Sequence, residues 1–170
     1  MKKMLIVVWM VGVGLFGLEL GERLPYIELA KDEGGYLDGR TWSAKEMDAK
    51  TNIIFYVDPD LKDLNDDFAK KLHKLKLSSK ELKVFVIVNM KASWILNVII
   101  DTVLEAKQKK FPKARYLKDN AALLVKRWNL KDDAYDIVVI DAKHRVLFSH
   151  SGAMTVPLSD KIIKEIVYRE

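Results

Sequence analysis

Hydrophobic and polar positions along this chain switch repeatedly between two spacings, and the switches mark its elements. Residues 52–57 (NIIFYV) form a short apolar, β-rich run stopped by Asp58-Pro59, the pattern of a strand buried on both faces. Leu61, Leu64, Phe68, Leu72 and Leu75 follow at spacings of three and four, which predicts one apolar helix face. Residues 84–88 read as a second buried strand. Residues 94–109 read as a second helix, opened by Trp94, whose apolar set includes Leu96, Ile99, Ile100, Val103 and Leu104. Strand, helix, strand, helix implies parallel pairing through right-handed crossovers. A short strand near residues 114–117 and a helix-like piece over 121–128 come next. Residues 137–140 and 146–148 then flank Asp141, Ala142, Lys143 and His144, a spacer that suits an antiparallel hairpin. Leu158, Ile162, Ile163, Ile166 and Val167 predict a closing helix. Upstream, residues 24–42 hold Pro25, Gly34, Gly35 and Gly39 and read as short strands joined by turns.

The first residues change the picture of where the protein works. Lys2 and Lys3 precede an uncharged apolar run over residues 4–18 that contains Gly12, Gly14 and Gly17, which is signal-peptide anatomy. The run is shorter than the roughly 20 residues a spanning helix needs, so export with cleavage near 17/18 is expected, with an inner-membrane anchor as the uncleaved form. Residues 1–18 are thus assigned as signal and residues 19–170 as one domain, in the periplasm. Loss of Lys2 and Lys3 reduces the net charge from +5 to +3, too small an excess for a nucleic-acid-binding footprint. The chain has no cysteine. Its fold is therefore held without disulfides, and thiol-disulfide exchange, which needs a thiolate nucleophile, is excluded.

The stretch IIFYVDPDLKDLNDDFAKKL resembles the strand and active-site helix of the thioredoxin-like superfamily, with Asp60 and Asp63 where the two motif cysteines would stand. Tyr135 occupies the place where that superfamily keeps a cis-proline lining its substrate groove. Four phrases, GRTWSAKEM, IVNMKASW, QKKFPKARYLKDN with KRWNLKDDAYDIVVID, and VLFSHSGAMT, are similar to the YtfJ-type family of exported bacterial proteins. That resemblance implies an α/β, thioredoxin-like three-layer fold, a central mixed sheet with helices on both faces, and leaves the biochemical role open. Some family members carry a transcriptional-regulator label, which an export signal contradicts.

Asp58, Asp60, Asp63, Asp66 and Asp67 form the densest constellation of chemistry-bearing groups. Their oxygens suit Ca²⁺ or Mg²⁺ and give Asp58, Asp60 and Asp63 as weak metal candidates, yet the spacing fits no EF-hand, and capping of a helix start accounts for every one of them. His73, His144 and His150 are scattered without zinc spacing, and His144 stands in the hairpin turn, where a positive φ is tolerated. Ser149 and Ser151 flank His150 on a strand and so point away from it, and no nucleophile elbow is present. The cationic tract Lys107, Lys109, Lys110, Lys113, Arg115 and Lys118 lies where a helix should end and is read as complementing its dipole. Trp42 and Trp94 read as core plugs at element starts, although Ile95 and Val98 beside Trp94 make the second helix apolar on nearly every side and leave a possible partner surface. No residue pattern calls for a cofactor. The expected function is a non-catalytic, exported, thioredoxin-like module that binds an envelope protein or peptide in a groove near Asp60, Asp63 and Tyr135. A carboxylate or divalent-cation enzyme at the same helix start is the alternative.

Overall fold

The computed structural model describes residues 18–168; the signal-peptide assignment falls on residues outside that range, Leu18 excepted. Six strands form one mixed sheet in the order β2-β6-β5-β4-β7-β8. At its centre β4 (Thr51–Val57) runs parallel to β5 (Leu82–Asn89), which is parallel to β6 (Ala114–Asp119). On the other side β4 pairs antiparallel with β7 (Tyr135–Asp141), and β7 with β8 (Val146–Ser151). The edge strand β2 (Gly34–Tyr36) is antiparallel to β6, while β1 (Glu28–Leu29) and β3 (Trp42–Ser43) make a separate two-stranded ladder.

All seven residues of β4 are buried because both faces of the sheet are covered. Alternation divides them: Ile53, Phe55 and Val57 face one side, Ile54 and Tyr56 the other. The first side is covered by α1 (Asp66–Lys74) and α4 (Val156–Val167), with α2 (Asn97–Lys110) over β5 and β6. The second is covered by α3 (Leu123–Trp128) and the chain before β4, where Trp42, Met47, Leu124 and Trp128 are fully or almost fully buried. Helices therefore lie on both faces, and Trp42 is the core plug its position suggested.

Three boundaries differ from the spacing. The first helix does not begin at Leu61: a 3-10 turn over Pro59–Leu61 and a bend precede α1, and Leu64 is exposed. The side chain of Asn65 holds the bend by accepting from Met154 N at 2.7 Å and donating to Gly152 O at 3.1 Å. The second helix starts at Asn97, so Trp94 lies in the loop ahead of it, where Ser93 Oγ accepts from Ile95 N at 3.1 Å. Gly34 and Gly35 sit in a strand and not a turn; a Cβ on Gly34 would stand 2.1 Å from Lys118 O, a close approach only glycine permits. His144 has φ 61° in the β7–β8 turn, as its position predicts. His150 lies within β8, between Ser149 and Ser151.

Candidate functional site

The carboxyl end of β4 delivers the chain to the acidic loop. Asp58 N donates to Ala134 O at 2.9 Å, and the Asp58 carboxylate accepts from Asp60 N at 2.8 Å, capping the 3-10 turn that Pro59 starts. Burial pushes Asp58 above the usual carboxylate range, with Asp60 and Asp133 nearby adding to the rise. Asp63 is set apart from Asp60 by this geometry: the ammonium of Lys62 at 3.0 Å, with that of Lys107 at 3.2 Å, holds its carboxyl below the ordinary value. Lys107 also reaches Asp66 at 3.9 Å. One member of the cationic tract is thus folded onto the acidic cluster from α2, and Lys118 pairs with Asp101 at 3.0 Å. Dipole complementarity does not exhaust the role of those lysines.

Asp60, Asp63 and Tyr135 line one cleft of about 560 Å³ between α1, α2 and the sheet. Tyr135 pairs with Val57 in the β4–β7 ladder, is 5% exposed, and packs edge-on against Phe55 with ring centroids 5.9 Å apart. Burial raises its phenol well above the usual range, as it raises Tyr116, on the same cleft, to about 12. No cis peptide bond occurs among the described residues. The backbone at Tyr135 continues the regular β4–β7 ladder.

Trp94 is 90% exposed and is not a core residue; Leu96, Val98 and Ile99 are 68%, 67% and 52% exposed beside it. Four large apolar side chains within six positions thus make an uncovered apolar patch. Ser93 Oγ lies 3.3 Å from Asp60 Oδ1, which fastens this loop to the acidic one. Ile95 and Ile99 line the cleft, while Trp94, Leu96 and Val98 stay outside it.

The remaining candidates disperse. His73 touches the Phe111 ring edge-on, and His150 stacks on Phe148 with Nε2 3.0 Å from Ala153 O. Ser149 and Ser151 stay on β8 with no acid and base converging on them. Among the described residues no three His, Asp or Glu side chains are arranged to hold a metal ion. Lysine ammonium groups stand where a cation would approach Asp63 and Asp66.

Several residues that position the site escaped the sequence reading. Asp119, fully buried, accepts from Tyr56 OH and from the backbone N–H groups of Ala121, Leu123 and Leu124, tying the centre of the sheet to α3. Asn89 Nδ2 donates to Asp132 at 2.7 Å, which brings Asp132 and Asp133 to the same end of the sheet as Asp58. Their only sequence signal is a polar residue ending an apolar run, which is shared by ordinary strand ends.

Residues 24–168 match the family described as Bacterial protein of unknown function (YtfJ_HI0045). The chain is 23% identical over 148 residues to the uncharacterized protein YtfJ of Escherichia coli (strain K12), covering 81% of this chain and 79% of that protein. Among solved structures it is similar to a putative thioredoxin from Neisseria meningitidis, with TM-score 0.63 and 15% identity over 86% of this chain and 91% of the other. It is similar also to a thiol peroxidase from Chromobacterium violaceum, with TM-score 0.62 and 14% identity over 91% and 90%. Both likenesses are of fold. With a thioredoxin-like fold, a cysteine-free acidic loop at the end of its central strand and a match across nearly all of the described residues, the chain belongs to the YtfJ family of bacterial proteins of unknown function.

Proposed function

We propose that this protein is a non-catalytic binding module of the cell envelope that captures a polypeptide segment at the carboxyl end of its sheet. The observation that carries this reading is the uncovered patch of Trp94, Leu96, Val98 and Ile99, fastened through Ser93 to Asp60. Four large apolar side chains left in water offer burial energy to any surface that covers them, and exposed apolar patches of this kind mark interaction sites. The charge beside the patch defines its partner. Asp58, Asp60, Asp132 and Asp133 gather there, so a segment combining apolar with basic side chains fits and one with acidic side chains is repelled. The apolar run after Lys2 and Lys3 supports an envelope location.

Fluorescence anisotropy with two labelled peptides of equal length, one alternating Leu and Lys and one alternating Leu and Glu, tests the reading. The basic peptide should bind, the acidic one should not, and the pair Trp94→Ser with Leu96→Ser should weaken binding at least about tenfold, the equivalent of about 1.4 kcal/mol. Equal binding of both peptides, or affinity unchanged in the double variant, would defeat it.

A further inference from the structure

The cleft beneath the patch is polarised along its length. Its floor follows β5 from Leu82 to Val88, six residue steps or about 20 Å at 3.3 Å each. The floor and walls are aliphatic, with Val84 and Val86 beneath and Leu72 and Leu104 at the sides. Asp60, Asp63 and Asp66 stand at the end from which α1 and α2 start. Both helices then run back along the sheet, so His73, Lys76, Lys110 and Lys113 converge at the far end. The two helix ends meet there through the His73–Phe111 contact at 5.6 Å, and Lys76 is set in place by a left-handed φ of 53° just past α1.

These far-end lysines differ from the others lining the cleft. Lys62, Lys70 and Lys107 each have an aspartate partner within 3.2 Å. Lys76, Lys110 and Lys113 have no carboxylate partner among the described residues; Lys110 lies over the Phe111 ring at 5.3 Å. Cations at helix ends complement the dipole, but these also stand over the mouth of a long apolar cavity, where an anion on an apolar tail gains both contacts at once.

We propose that this cleft binds a single-chain amphiphile with an anionic head, its head among Lys76, Lys110 and Lys113 and its tail along Val84 and Val86 toward Tyr135. The head group's place lies at the opposite end of the cleft from the Trp94 patch, and the proposal does not depend on the peptide-binding reading.

Calorimetric titration of the purified full chain with palmitate, hexadecyl phosphate and hexadecyltrimethylammonium, each kept below its aggregation concentration, tests it. Saturable one-to-one binding of either anion, at least about tenfold tighter than the cation of equal tail length, is expected from three exposed charge contacts acting together. Preference between the two anions identifies the head. The triple variant Lys76→Glu, Lys110→Glu, Lys113→Glu alters exposed side chains only and should lose that preference while its thermal melt stays cooperative. Val86→Phe should block the tail. No saturable binding, equal affinity for anion and cation, or an unchanged preference in the triple variant overturns the proposal.

Discussion

At the scale of single residues, three buried carboxylates fix the frame on which the site stands. Asp141 is desolvated, which alone would raise it, but the N–H groups of Lys143 and Arg145 and the Arg145 guanidinium at 2.8 Å outweigh burial and hold it below the usual range. A carboxyl lowered by folding stabilises the native state above its unfolded value, near pH 4, and that contribution is lost as pH falls through the folded value. Asp141→Asn should therefore cost about 1–2 kcal/mol at neutral pH, and the deficit should shrink below about pH 4. Thermal melts across that range decide it; a deficit constant with pH would contradict the account. Asp119 has a different role, since it satisfies a tyrosine hydroxyl and three backbone donors at once. Asp119→Ala should destabilise by about 3 kcal/mol or more by stranding them in the core, and denaturant unfolding measures it. Asp136, by contrast, is raised by burial, so its ionisation opposes folding and stability is lost as pH rises from its unfolded value through the higher folded one.

At the scale of elements, the acidic loop before α1 is held by cap, bend and ion pair, with Lys62 and Lys107 supplying the positive charge a metal would bring. Millimolar Ca²⁺, Mg²⁺ or Mn²⁺, compared with EDTA, should leave the thermal midpoint unchanged. A stabilisation approaching the roughly 2.7 kcal/mol that a ligand gives at a hundred times its Kd would contradict that and revive the carboxylate-metal alternative. The element order was legible because buried strands and amphipathic helices carry different periods, and β4, β5, β7 and α4 follow theirs closely. The start of α1 was not legible: Leu61 and Leu64 keep helical spacing, but Asn65 is committed to the β8–α4 loop, 87 and 89 residues away in sequence. Trp94 was half legible. Its apolar neighbours signalled a surface, whereas its exposure depends on α2 beginning three residues later, at Asn97, a boundary set by tertiary packing. That Asp60, Asp63 and Tyr135 share a cleft followed from the resemblance, and the pairing of Lys107 with Asp63 had no local signal at all.

At the scale of the whole molecule, the fold keeps a thioredoxin-like sheet, with an acidic loop after its central strand and Tyr135 in the regular β4–β7 ladder beside it. No helix among the described residues is long and apolar enough to cross a membrane. Export with cleavage near 17/18 predicts a periplasmic protein whose mature chain begins at Leu18 or Glu19; fractionation with mass spectrometry of the N-terminus reads this, and an intact Met1 in the cytoplasm would contradict it. On the proposed reading the scaffold works by capturing a polypeptide at the carboxyl end of the sheet. Its most direct test is photocrosslinking in intact cells with p-benzoylphenylalanine at position 94, against the same probe at Tyr26, also exposed but remote in the fold. The account predicts a discrete adduct with an envelope polypeptide at position 94 that is absent at Tyr26. No adduct at position 94, or the same adducts from both positions, would contradict it.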